Sequence, residues 1–296
     1  MKNLSLLMMM LLIFSACSSD DDGGGIKLRD AEEVKEENEA SIQDFLSTHY
    51  YKMESNPSNP NFDRIVFDSI SNGEEAIIDS EFLKTKTVTR NDIDYEIFYL
   101  KFREGAASER HPTFADSTLI TYEGFTLSNK IFDVSPNPVW FDLTQIIPGF
   151  FEIMPEFRGG TGFVENPDGT VTFNDDFGIG AMFIPSGLGY FANPPVGSKV
   201  SAYSPIIFTF QLYKSKETDH DGDGVPTWME DVNENHNLND DDTNGNRVPN
   251  YLDPDDDGDR VPTREEIIIN EDGTIEFPDS NGNGTPDYLD ESYPLE

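Results

Sequence analysis

Residues 217–296 hold 25 of the chain's 57 acidic side chains, against only Arg247, Arg260 and Arg264 as bases. No other feature constrains the fold so strongly. Carboxylates at this density repel one another and resist burial, and the apolar residues between them are too few for an ordinary core. Such a segment stays extended in water unless something positive gathers its carboxylates. The shift in charge marks a boundary near Lys216. The total of −37 argues against nucleic acid and anionic lipid surfaces as partners.

The acidic residues are regularly spaced. Asp219, Asp221, Asp223 and Glu230 fall at the first, third, fifth and twelfth places of a frame, with Gly224 sixth and the Val225 carbonyl seventh. This is the spacing of a calcium loop, in which alternate side chains point inward and the turn at the sixth place folds the chain over the ion. The frame recurs as Asp242, Asn244, Asn246 and Asp253, as Asp255, Asp257, Asp259 and Glu266, and as Asp279, Asn281, Asn283 and Asp290. Pro226, Pro249, Pro262 and Pro286 stand at the same place in each. Arg247 and Arg260 occupy the sixth place, where a left-handed backbone costs a non-glycine residue about 1–2 kcal/mol, which makes those loops weaker. With no flanking helices, the frames resemble thrombospondin type 3 calcium repeats. The resemblance implies structural Ca²⁺ and compaction into a rod or spacer on binding; the alternative is a disordered acidic tail.

At the other end, MKNLSLLMMMLLIFSAC joins Lys2 to an apolar run, Leu4 to Phe14, that has signal-peptide length and is short for a bilayer span. Phe14-Ser15-Ala16-Cys17 resembles a bacterial lipobox, which implies a signal peptide over 1–16 and a lipid anchor at Cys17. Cys17 is the only cysteine, so the chain has no disulfide framework and no cysteine-ligated cluster. Residues 17–29 read as a flexible acidic tether and resemble the signal that sends some bacterial lipoproteins to the cell surface. The implied location is the outer membrane, facing the periplasm or the exterior.

Between these ends the chain reads as α+β. Asp30 and Glu33 have capping-box spacing and open a helix running to about Lys52. Ile42, Phe45, Leu46 and Tyr50 share one face of it. Its first half is nearly all charged, so only the second half is expected to dock. Asn56-Pro57-Ser58-Asn59-Pro60 ends it. From Arg64 to Lys214 the aromatic and β-branched runs Tyr95–Phe102, Thr118–Tyr122 and Ile206–Tyr213 predict strands. A hairpin is expected around Asp168-Gly169, between Gly159 and Gly180. Gln145 to Met154 predicts one short helix, with Pro148 in its first turn. The expected architecture is an antiparallel sheet wrapped around that helix, with an N-terminal helix and strands over 30–115, a core over 116–214 and an irregular calcium-loop tail over 217–296.

The stretch ITYEGFTLSNKIFDVS, residues 120–135, predicts a hairpin turning at Ser128-Asn129-Lys130. Asp133 stands in its second arm among apolar neighbours. A carboxylate buried there must be paired, and Tyr122 on the facing arm is the expected partner. With the strands laid side by side, Tyr122, Phe132, Phe150, Tyr190 and Phe208 gather around Asp133. Any one of these alone is an ordinary core aromatic.

In order along residues 116–214, Ile120-Thr121-Tyr122-Glu123-Gly124, Ile131-Phe132-Asp133, Gln145-Ile146-Ile147-Pro148-Gly149-Phe150, Ile184-Pro185-Ser186-Gly187-Leu188-Gly189-Tyr190 and Ser204 to Leu212 resemble the pieces of an FKBP-type peptidyl-prolyl cis-trans isomerase. The resemblance implies an FKBP-like fold, with Phe150 as the floor of a proline pocket and Tyr122, Phe132 and Phe208 as walls. It implies that the segment Ile146–Ile147 and the Tyr190 hydroxyl hold substrate carbonyls, and that Asp133 orients the twisting amide. Phe150 stands where the family commonly has Trp, Phe191 where it has Gly after the Tyr, and one wall aromatic is replaced by Val139 or kept as Trp140. The implied partners are proline-containing polypeptide clients, with no cofactor in the catalysis. The alternative is a non-catalytic peptide-binding or adhesion module on a calcium-stiffened stalk.

Other chemistries lack their signatures. His49, His111, His220 and His236 have no zinc spacing, and the chain carries no P-loop, dinucleotide fingerprint or nucleophile elbow.

Overall fold

A computed structural model describes residues 28–292. The expected signal peptide, Cys17 and the tether before Leu28 lie outside the described residues. No helix among those described is long and apolar enough to cross a membrane.

The first helix, α1 (Ala31–Thr48), begins as its sequence predicts: the Asp30 side chain accepts the Glu33 N–H at 3.0 Å. It stops short of Lys52. His49–Glu54 is instead strand β1, paired antiparallel with β2 (Arg64–Ser69). Tyr50 and Tyr51 suit a pleated, half-buried surface better than a helix end, so Tyr50 does not join the helix's apolar face. Docking also differs from expectation. Val34 and Asn38 are buried with Ile42, Phe45 and Leu46, because Val34, Asn38 and Ile42 follow at i, i+4 and i+8 and carry the contact stripe into the charged half.

The strands β3 (Leu83–Arg90), β4 (Ile93–Arg103), β5 (Ser117–Thr126) and β6 (Ile131–Asp142) precede the short helix α2 (Pro148–Ile153). A two-stranded hairpin follows, β7 (Phe163–Glu165) with β8 (Val171–Phe173), at the expected turn. Then come β9 (Gly178–Ile184) and β10 (Ile206–Lys216). Six of these strands form one antiparallel sheet in the order β3-β4-β9-β10-β5-β6. The sheet draws on both sides of residue 116. The α+β class, an antiparallel sheet around one short helix, is the architecture observed.

Period-two alternation sends the strand residues to two cores. On β10, Ile206, Phe208, Phe210 and Leu212 join α2, while Ile207 joins the cluster that contains Ile42, Phe45 and Leu46 of α1. Burial on both faces explains why these strands read as nearly continuous apolar runs.

The acidic tail packs back on this core. Thr218 Oγ1 donates to the Ala115 carbonyl at 2.6 Å, and His220 Nε2 lies 2.9 Å from Asp142 Oδ2. The His236 ring stacks on Phe114 with centroids 4.3 Å apart. Leu238 and Tyr251 of the tail are buried with Ala115.

Candidate functional site

A cavity of about 440 Å³ opens between α2 and the strands β5, β6 and β10, lined by Tyr122, Asp133, Phe141, Gln145, Ile146, Ile147, Pro148, Phe150, Tyr190 and Phe208. Phe150 projects from α2 as its floor. The Phe208 ring meets it edge-on with centroids 5.4 Å apart, and Phe141 meets it at 5.8 Å. Tyr122 completes the wall, 5.1 Å from Phe141 and 6.0 Å from Phe208.

Asp133 is exposed, contrary to its expected place in a core run. It lies on β6, one of the sheet's two edge strands, so its side chain reaches the rim of the cavity without being desolvated. The expected contact is present: the Tyr122 hydroxyl donates to Asp133 Oδ2 at 2.9 Å. Asp133 Oδ1 accepts the Val134 N–H at 2.9 Å. Burial, and then the Asp133 carboxylate, push the Tyr122 phenol well above its ordinary range. Burial, and then Asp133, raise the Tyr190 phenol as well. Both phenols therefore remain protonated donors.

Phe132 does not line the cavity. Its ring stands edge-on behind Phe208 at 5.5 Å and Tyr190 at 6.4 Å, bracing both. This explains Gly124 across the sheet, since a Cβ there would lie 2.8 Å from the Phe132 and Phe208 rings.

The wall aromatic assigned to Val139 or Trp140 is Phe141. The β5–β6 register passes from Ile120 opposite Val139 to Tyr122 opposite Ser135, so β6 bulges between them. Beyond the bulge, alternation turns Trp140 outward, 51% exposed, and Phe141 inward. The alternation of Trp140 and Phe141 was the available signal, and the bulge around Pro136 and Pro138 masked its phase.

Ile147 is the N-cap of α2, in extended backbone, and Pro148 takes the first helical place. The Ile147 carbonyl accepts from Phe150 N–H at 3.0 Å. Its own N–H precedes the helix's hydrogen-bond ladder, in a residue that lines the cavity.

The loop bearing Tyr190 is fastened by α1. Asn38 Oδ1 accepts the Ser186 N–H at 2.6 Å, and Asn38 Nδ2 donates to the Tyr203 carbonyl at 2.9 Å. The sequence carries no local signal for Asn38, whose partners lie 148 and 165 residues away. Phe191 adopts a left-handed backbone, φ 46°, and its ring packs edge-on against Tyr203 at 5.0 Å. That is the position where the isomerase family has Gly.

In the tail, the frames share one backbone course. The fourth and sixth places are left-handed at Gly222 and Gly224, Gly245 and Arg247, Gly258 and Arg260, and Gly282 and Gly284. Residues 231–242 follow the same course, with Glu234 and His236 left-handed and the His236 N–H bonded to Asp231 at 2.9 Å. This stretch lacks the proline that marks the four frames in the sequence.

The expected groups converge. Asp219, Asp221 and Asp223 bring carboxylate oxygens within 4.8 Å of one another, as do Asp255, Asp257 and Asp259. In the asparagine loops, Asn244 and Asn246 donate to Asp253 at 2.9 and 2.7 Å, and Asn281 and Asn283 donate to Asp290 at 2.8 Å each. Asp242 and Asp279 accept backbone N–H groups from their own turns.

Several of these carboxylates are buried without partners. Both oxygens of Glu230 and of Glu266 lack hydrogen bonds, as do Asp221 Oδ2, Asp223 Oδ2, Asp257 Oδ2 and Asp259 Oδ2. Burial first, then the neighbouring carboxylates, push Glu230 up to about 10 and Glu266 up to about 8. Burial, with Asp221 and Asp219 adding to it, pushes Asp223 up to about 7. A divalent cation fits this donor set: it would let hard oxygen ligands ionise and satisfy their lone pairs together.

The tail is also the part of the chain with a family match: a protein-family profile described as BamM C-terminal covers residues 220–278. No curated protein matches the chain. Among solved structures, a peptidyl-prolyl cis-trans isomerase from Pseudomonas syringae pv. tomato is similar at 19% identity over 47% of this chain and 84% of that one, with a TM-score of 0.35. FkpA from Escherichia coli is similar at 21% identity over 47% of this chain and 53% of its own, with a TM-score of 0.34. A multi-domain immunophilin from Arabidopsis thaliana is similar at 12% identity over 46% of this chain and 47% of its own, with a TM-score of 0.33. The chain thus spans about half the length of the last two.

Proposed function

We propose that this chain is a peptidyl-prolyl cis-trans isomerase that assists folding of exported or surface proteins. The observation that carries this reading is the Tyr122–Asp133 hydrogen bond at the rim of an aromatic cavity floored by Phe150. Rotation about an X-Pro bond faces a barrier of about 18–20 kcal/mol, set by amide resonance. The twisted amide has lost that resonance and is less polar than the planar form. An apolar pocket therefore favours it over the ground state, which is catalysis by differential binding.

Each residue has a part in this. Phe150, Phe208 and Phe141 enclose the proline ring, and Phe132 stiffens the wall from behind. The Ile147 N–H and the Tyr190 hydroxyl are donors for substrate carbonyls, with Ile146 closing the rim beside them. Asp133, held by Tyr122, orients the twisting carbonyl electrostatically. The clients are proline-containing polypeptides.

The tail binds calcium as a structural ion through its four proline-marked frames. Buried, unpartnered carboxylates in Asp223, Glu230 and Glu266 support this assignment. Cys17 supplies a lipid anchor in the outer membrane, a reading that rests on the sequence before residue 28.

Refolding of a proline-limited protein substrate, in the presence of the chain from Leu28 onward and millimolar calcium, tests the activity. Acceleration that saturates with enzyme is expected. Client binding without acceleration would replace the isomerase by a peptide-binding module.

A further inference from the structure

The hairpin of β3 and β4 leaves one edge of the main sheet open, because β3 is its first strand. The phase of that edge can be read. The Phe82 carbonyl accepts the Lys101 N–H at 2.9 Å, and the register runs on from Leu83 opposite Leu100 to Arg90 opposite Ile93. The two turn residues, Asn91 and Asp92, are both left-handed, φ 52° and 61°, the conformation of a two-residue turn that closes on a hydrogen-bonded pair. Both observations agree that the even-numbered residues of β3 bond to β4. The backbone N–H and carbonyl groups of Thr87 and Thr89 therefore point away from the sheet, and no other strand pairs with them among the described residues.

This edge borders a cleft of about 610 Å³, whose other wall is formed by tail residues 234–237 and Asp240. Residues 86–92 line it without a gap. A cleft above one face of a strand would meet alternate residues, so an unbroken run marks a cleft along the edge. A smaller cavity of about 150 Å³ joins it to the aromatic cavity. That cavity shares Arg90, His236 and Asn237 with the cleft, and Ile146 and Pro148 with the cavity floored by Phe150. The three make one groove, from the aromatic cavity past the first turn of α2 to the edge of β3. Arg90 stands at the junction, half-buried. It makes no ion pair among the described residues, and its guanidinium offers donors to carbonyl groups.

We propose that a client polypeptide lies along this groove in extended form, with its proline in the aromatic cavity and a flanking segment added to β3 as a further strand beneath the tail. This rests on the reading of the aromatic cavity as a proline site. In strand addition the main-chain hydrogen bonds supply the affinity, so the groove accepts varied sequence around the proline, as unfolded clients require. Glu234 and Asp240 face the same cleft and disfavour an acidic segment. Lys84 and Lys86 on β3 disfavour edge-to-edge pairing with a second copy of this chain. The tail then has a part in client binding, since His236 and Asn237 wall the groove where it leaves the cavity.

The test uses the chain from Leu28 onward in millimolar calcium, a proline tetrapeptide, and a longer unstructured peptide with the same proline in mid-sequence. The long peptide is expected to show kcat/KM about tenfold higher, mostly through KM. Thr87→Pro removes an outward N–H from an edge strand and leaves the β3–β4 bonds in place, and is expected to cut that preference to about twofold. Equal kcat/KM for the two peptides in wild type overturns the extended groove and leaves the proline site standing. A preference undiminished in Thr87→Pro overturns the strand addition. Turnover of neither peptide overturns the isomerase reading, and amide exchange then decides the groove by itself. Exchange in wild type, read residue by residue by NMR, also decides it should the variant fail to fold. Saturating long peptide is expected to slow Thr87 and Thr89 by about tenfold or more, while the tetrapeptide leaves them fast. Unchanged exchange at both threonines overturns the proposal. Slowing that grows with protein concentration in the absence of peptide assigns the edge to a second copy of this chain and overturns it as well.

Discussion

His236 Nδ1 lies 2.8 Å from Glu152 Oε1, which ties the acidic tail to the helix that floors the aromatic cavity. Glu152 is buried on α2, two residues from Phe150, and Lys86 of β3 reaches it from the other side at 3.2 Å. The tail is therefore fastened to the same six-residue helix that presents Phe150 and Ile147 to the pocket.

The fastening should depend on pH. The Glu152 hydrogen bond raises the His236 value against the opposing effect of burial; Asp231 adds to the rise and Lys86 opposes it. Burial pushes Glu152 up, but His236 and Lys86 outweigh it and hold the carboxyl below its ordinary value. A raised histidine contributes stability that is complete below its unfolded value of about 6.5 and is lost as pH rises through the folded value. The lowered carboxyl contributes above its unfolded value of about 4.3 and loses that share as pH falls through the folded one. His236→Phe keeps a ring on Phe114 and removes the charge. Because the His236 side chain is 41% exposed, its melting temperature should fall by no more than a few degrees, an effect of about 1 kcal/mol or less. The deficit should be present near pH 6 and shrink in alkaline solution. An equal deficit at both ends of the range would assign the contact to packing.

Asp133→Ala should lower the acceleration of proline-limited refolding by about tenfold, or ~1.4 kcal/mol in the barrier. Asp133 is exposed, so the urea midpoint should move by less than about 0.5 kcal/mol equivalent. Tyr122→Phe keeps the wall and removes the donor that holds the carboxylate, and should fall between Asp133→Ala and wild type. Unchanged acceleration in Asp133→Ala removes the residue from the mechanism.

Tyr122 and Asp133 could be paired from the sequence because a short hairpin brings its two arms side by side whatever the exact register, and the bulge between Gly124 and Phe125 leaves them diagonal neighbours. Phe141 could not be placed because the bulge that shifts its phase is a property of two strands together. Asn38 and His236 act on partners far along the chain, Ser186 and Glu152, and no periodicity carries such information. Asp256 occupies an even place in its own frame, and the groups it faces, Asp223 and Glu230, belong to a different loop, so its spacing carries no sign of the contact.

Asn38→Leu should loosen the loop that carries Tyr190 without touching the cavity. The Ser186 N–H would lose its buried acceptor, at a cost of about 1–3 kcal/mol. Hydrogen exchange at residues 186–191 should speed up, and KM for a peptide substrate should rise more than kcat falls. Exchange confined to α1 would show that Asn38 serves only the helix.

Arg260 occupies a left-handed turn, φ 82°, at the place where Gly224 and Gly284 serve in sister loops. A side chain there costs about 1–2 kcal/mol in the folded loop, and glycine returns roughly 0.5–1 kcal/mol of that through its freer unfolded chain. Arg260→Gly should therefore stabilise the calcium-loaded chain by up to about 1 kcal/mol, read as a higher urea midpoint. Arg260→Lys keeps the charge and the strained backbone and should show no gain, which separates strain from electrostatics. With calcium chelated the advantage of glycine should disappear, because the strain exists only when the loop is closed. A gain that persists under chelation would place the benefit in the loss of a positive charge, a surprising result in a tail this acidic.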